Sequence, residues 1–235
     1  MNRARFILGL LLTATAGAIN AVSFTRFGAV YASFMSGNTV QIGLLAGGRD
    51  WAGFGYFGAL VALFMFGGFA GGLVLGKAPR WAVAIILVLN GALLGAALWL
   101  DLRYGLALAS TAPLSLAMGL QNHLVVLVRG ANPGTTFVTG TAFRFGDAVA
   151  QAALGRDPHH AWRLHLAVWL SFAVGAALGL LAHLRLSRFA LAPVTGLVAS
   201  CALVAVAATL LGQVRERRVA AKAARSHASL DSASL

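Results

Sequence analysis

Long apolar runs, broken by short charged punctuation, dominate this chain. Six of them, residues 6–24, 55–76, 81–100, 105–128, 163–184 and 190–212, are each close to 20 residues long. At 1.5 Å per helical residue, that length matches the roughly 30 Å hydrocarbon core of a bilayer. Amphipathic rings belong at the headgroup level, and Trp51, Tyr56, Trp81, Trp99, Tyr104 and Trp162 fall at the edges of these runs. Lys77–Arg80 and Asp101–Arg103 read as short polar loops.

Two further segments, residues 34–47 and 137–154, are shorter and more polar. From Ser36 or Thr139 onward, each offers about 11–15 helical residues, or roughly 17–23 Å, which falls short of a full crossing. They are either re-entrant half-helices or thin, tilted full spans. The two segments also align with each other. At an offset of 103, Phe34 pairs with Phe137, Gly37 with Gly140, Gly43 with Gly146, Gly72 with Gly175 and Gly76 with Gly179; at 102, Gly17 and Asn20 pair with Gly119 and Asn122. The pattern predicts an internal repeat, with one unit over about 6–100 and a second over about 105–212.

The expected fold is therefore an all-α polytopic transmembrane bundle, in which each repeat holds three spans and one short helix. Re-entrant short helices leave three crossings per unit and turn the second unit upside down, whereas full crossings make the units parallel. The side on which Arg49 lies separates these arrangements: outside for six crossings, inside for eight.

Composition agrees with this pattern. Apolar residues make up 59% of the 235 and charged residues 10%, with a mean hydropathy of +0.82. A soluble domain carries about 25% charge, so a soluble enzyme, a nucleic-acid binder and a disordered chain are all excluded. The net charge of +12 sits mostly in loops and in the tail, where the positive-inside rule puts it. Arg3 and Arg5 before Phe6–Leu12 resemble the start of a signal peptide, but the apolar stretch continues to Phe24 and reads as a first span. Residues 1–212 then form one membrane domain with both termini cytoplasmic, and residues 213–235 a basic, disordered cytoplasmic tail. Cys201 lies alone in an apolar run.

The chemistry-bearing groups cluster in the short segments. A half-helix tip near the midplane exposes amides with no intrahelical partner, at the positive end of the helix dipole. Ser36 and Thr139 suit N-caps, while Gly37 and Gly140 permit close approach. Asn38, Thr39, Gln41 and Thr141 add polar groups where lipid tolerates few. Arg144 and Asp147, three residues apart on one helix face, can pair. Gln121 and Asn122 join them as candidate substrate-binding residues, and Asn20 and His123 suit interhelical hydrogen bonds. His159, His160 and His165 lack the cysteines or carboxylate cluster of a metal centre, and no catalytic motif is present. The reading calls for no metal, no cofactor and no enzymatic activity.

Four stretches carry a resemblance: Thr15 to Val22, Phe34 to Val40 with Gly43, Ala117 to Asn122, and Thr136 to Thr141 with Arg144, Gly146 and Asp147. Together they resemble the YoaK-like bacterial inner-membrane family, a domain of unknown function. The resemblance covers nearly all of the chain up to about residue 212. It implies an integral protein of the bacterial cytoplasmic membrane and supplies no substrate. This chain has Asn20 where the family often has Asp, which leaves Asp147 as the acid in these motifs.

The expected function is a small secondary transporter or carrier of a small polar or anionic solute, with its site between two half-helix tips. The alternative is a non-transporting structural or assembly protein that packs through glycine-rich faces. The expected partners are the lipid bilayer and an unknown small solute, with no nucleic acid; homo-oligomerisation is left open.

Overall fold

The computed structural model describes residues 3–105, 107–129, 138–156 and 161–233, and every regular element among them is helical. The helices are α1 (Arg3–Arg26), α2 (Met35–Gly47), α3 (Trp51–Lys77), α4 (Ala82–Tyr104), α5 (Ala107–Arg129), α6 (Val138–Ala153), α7 (Ala161–Leu186) and α8 (Ala192–Ala233). Five contain stretches long and apolar enough to cross a membrane: Phe6–Arg26, Trp51–Lys77, Ala82–Tyr104, Ala161–Phe189 and Ala192–Glu216. Large apolar side chains such as Met65, Phe66, Phe69, Leu203 and Val204 are exposed. Water would not tolerate such a surface, but hydrocarbon does. This is a multi-pass membrane protein.

All six expected spans coincide with helices. Of these, α5 is an interior helix that packs against α1, α3 and α4. Its polar face, Ser110, Thr111, Ser115 and Gln121, is buried among them. Asp50 starts α3 by accepting from the Gly53 amide at 3.0 Å, and Gly105 ends α4 in the left-handed region at φ 64°. α8 runs on along the tail to Ala233. The Ala-, Arg- and Lys-rich sequence after Val219 has high helix propensity and follows an existing helix, so no new nucleus is required.

Side-chain links fix the helix directions. Tyr56 meets Thr111 and His123 meets the Gly68 carbonyl, so α3 and α5 run the same way. Ser171 donates to the Leu10 carbonyl, and Gly175 and Gly179 lie on Ala14 and Ala18, so α1 and α7 do too. Gln121 donates to Leu12 and accepts from Asn90, which puts those two residues at one level, while Arg26 and Asp101 meet further along. α1 and α4 are therefore parallel; opposed helices would hold Arg26 and Asp101 roughly 38 Å apart along the axis. The short Lys77–Trp81 connection then makes α3 opposed to both. Arg26 and Trp51 consequently lie at the same end of the bundle, and the chain between them goes in and comes back.

The two tightest interfaces repeat one design. A Cβ on Gly17 would overlap the Phe172 carbonyl, and one on Gly119 the Phe64 carbonyl. A Cβ on Gly175 would overlap Ala14, and one on Gly67 would overlap Leu116. Gly67 and Gly71 thus sit against α5 and its His123 as Gly175 and Gly179 sit against α1. Gly72, which the offset of 103 pairs with Gly175, meets the His123 ring at 3.6 Å and no backbone.

Candidate functional site

Residues 27–34 return from the end of α1 toward its middle. Gly28 (φ 79°) and Ala29 (φ 61°) make the turn. Asn20 then clamps the returning strand: its Oδ1 accepts from the Ser33 amide at 3.0 Å, and its Nδ2 donates to Ser33 Oγ at 2.5 Å and to the Ala16 carbonyl at 2.9 Å. Asn38, fully buried, does the same from α2. Its Oδ1 accepts from the Tyr31 amide at 3.2 Å and its Nδ2 donates to the Tyr31 carbonyl at 2.7 Å. Irregular backbone away from water must find partners within the protein, and these two amides supply them. Gly37 lies beneath the edge-to-face pair Tyr31–Phe34, where a Cβ would come within 2.7 Å of the Phe34 ring.

α2 begins at Met35, with Phe34 at its N-cap and no side-chain cap. Ser36 is therefore the second helical residue and not the expected cap; the aromatic contact of Phe34 with Tyr31 sets the helix start. Thr39 donates back to the Met35 carbonyl at 2.8 Å. The opposing helix α6 starts at Val138, with Thr139 exposed and Gly140 and Thr141 half-buried behind it. Phe137 and Thr136 lie outside the described residues, as do Asp157, His159 and His160.

The two helix tips face one another. A hollow of about 340 Å³ is lined by residues 33–36 on one side, by Val138 and Thr139 on the other, and by Phe64 of α3. It adjoins a larger hollow of about 660 Å³ between α1 and α7, walled by Phe24, Tyr31, Phe172 and Leu180. Ser33, Phe34, Val138 and Thr139 border both. The shared space is mostly apolar, with Ser33, Ser36 and Thr139 as the hydroxyl-bearing residues of the smaller hollow.

The structure thus brings Ser36 and Thr139 to one hollow, with Gly37 and Gly140 in the first turns behind them. Gln41, further along α2, does not line either hollow, and Asn122 remains on α5. Gln121 lies elsewhere, bridging α1, α4 and α5. Arg144 is half-buried and Asp147 exposed, about two turns beyond the tip of α6. Among the described residues, no group of three His, Cys, Asp or Glu is placed to hold a metal.

Most of the lining residues escaped the sequence reading, Tyr31, Ser33 and Phe64 among them. Tyr31 and Ser33 lie in a stretch that reads as a loop, and Phe64 is one of 14 phenylalanines with nothing to mark it. The ion pair between Arg26 and Asp101, at 2.5 Å, was also not expected; its carboxylate side chain is 2% exposed.

Over residues 8–208 the chain matches the family described as "Protein of unknown function (DUF1275)". No curated protein and no solved structure matches it.

Proposed function

We propose that this chain, which belongs to the DUF1275 family, carries a small polar or anionic solute across the bacterial cytoplasmic membrane through the hollow between its two short helices. The observation that carries this reading is the meeting of the α2 and α6 tips, with the Ser36 and Thr139 side chains bordering the gap. Helix N-termini aimed at one point from opposite sides offer free amides and converging dipoles to a negative or hydrogen-bonding group. Transporters with broken helices place their sites in this way. Arg144 and Asp147 lie along α6, on the route from that point to the end of the bundle where α7 begins.

In this reading the chain crosses six times, and α2 and α6 enter from opposite faces and return. The parallel course of α1 and α4 supports it, because eight crossings would oppose those helices. The end that carries Arg3, Lys77, Arg80 and Arg215 faces the cytoplasm, in keeping with the positive-inside rule. The two halves form an inverted internal repeat, supported by the matching glycine contacts of α1 with α7 and of α5 with α3. The alternative, an assembly protein that uses its glycine faces to bind partners, is weakened because Gly17, Gly67, Gly119, Gly175 and Gly179 already serve contacts within the chain.

The test is solute flux into proteoliposomes, run over a panel of small anions and neutral polar metabolites. Ser36→Phe and Thr139→Phe, each of which puts a ring into the hollow, are expected to cut flux at least about tenfold, a loss of about 1.4 kcal/mol or more in barrier terms. Circular dichroism and melting should stay at wild-type values. Wild-type flux in both variants, or no flux of any panel member by the wild type, overturns the proposal.

A further inference from the structure

At the end of the bundle where α1 begins, α4 packs closely on α8, whereas α1 touches α8 only lightly. The gap is a groove of about 620 Å³ with an apolar floor: Ile7, Leu8 and Leu11 from α1, Val83 from α4, and Cys201 and Val204 from α8. Small residues, Ala205 and Ala208, keep it concave. Ile7, Leu11 and Val204 are exposed along it, so the groove is open to the hydrocarbon that surrounds the spans.

The mouth of the groove is polar, and cations gather around it. Arg80 borders both the groove and an adjoining hollow of about 300 Å³ that contains Thr209, Gln213 and Glu216. Arg3 stands one turn before Ile7 on the same face of α1, and Arg215 two turns beyond Ala208 on the same face of α8. Neither lines the groove, but with Arg80 they outnumber Glu216 around its polar end. Arg80 does meet Glu216, but at 3.3 Å with side chains 74% and 65% exposed. An exposed pair of this kind holds its members weakly, so the guanidinium is available to a better anion.

We infer that this groove is the site of one anionic phospholipid, its acyl chain on the apolar floor and its phosphate at Arg80. The order of chemistry matches such a molecule: hydrocarbon-lined depth within the span, then cations at the helix ends where headgroups lie. A second copy of the chain would meet a concave floor flanked by mobile-length Arg side chains, a poor self-complementary surface. The inference is independent of transport and holds whether or not the tip hollow carries a solute.

The test is native mass spectrometry of the delipidated full-length protein, titrated with phosphatidylglycerol and with phosphatidylcholine of the same acyl chains. One phosphatidylglycerol is expected to stay bound at energies that strip phosphatidylcholine. Arg80→Glu should lower its retention about tenfold or more, and Ala208→Trp, which fills the floor, should do the same, while Glu216→Gln keeps or strengthens it. Glycerol phosphate should not compete, which separates a lipid from a free phosphate. Equal retention of the two lipids by the wild type overturns the assignment. So does wild-type retention in Arg80→Glu, an exposed position whose change does not threaten folding. A dimer that Ala208→Trp abolishes without any effect on lipid would instead make the groove an interface between copies.

Discussion

A carboxylate near the C-terminal end of a helix is poorly placed, because the dipole there is already negative. Asp101 occupies such a position on α4 and is buried, and Arg26 from α1 compensates it. The pair also ties together the two parallel helices whose directions set the architecture. Removing the cation strands a buried charge, so Arg26→Gln should cost about 3 kcal/mol in unfolding free energy, and Asp101→Asn on top of it should recover a large part. A double-mutant cycle in chemical unfolding measures the coupling; additive effects would show that the contact does not stabilise the fold. Asn20 acts differently, as a stand-in for missing peptide partners of Ser33. Asn20→Ala should cost about 1–3 kcal/mol and make the 27–34 segment more sensitive to protease. An Asp at this position would lose the donor that now reaches Ala16. The sequence marked Asn20 and Asn38 as unusual polar groups but not their targets, since the backbone of Ser33 and Tyr31 reaches them only after the chain has turned back.

At the scale of elements, the helices themselves were legible, because apolar length and interfacial aromatics state a span almost directly. The short helices were legible as short and polar. The N-cap was misplaced at Ser36, because capping preference is a weak signal beside the packing of Phe34 on Tyr31. Glycines show the same limit. The chain contains 28, and sequence spacing does not tell contact positions from open ones. Gly175→Leu should separate α7 from α1 and cost about 3 kcal/mol or more, because the obstacle is backbone and cannot yield. Gly76→Ala meets open space and should be neutral or stabilising by up to about 1 kcal/mol through helix propensity. Melting in detergent checks both, and equal effects at the two positions would contradict the interface described.

For the whole molecule, the decisive quantity is the path of the chain through the membrane. In a Cys201→Ala background, Arg49→Cys should react with an impermeant thiol reagent from outside intact cells, and Lys77→Cys only after the membrane is opened. Eight crossings would reverse both results. The sequence by itself determined that this is a helical membrane protein and where its long and short helices lie, because the bilayer imposes length and apolarity on each segment separately. The tertiary structure alone decided that α1 runs with α4 and α7, that the tips of α2 and α6 meet at Phe64, and which glycines touch. Those are relations between residues far apart in the chain. They depend on how surfaces fit once assembled, and hydropathy carries no record of that fit.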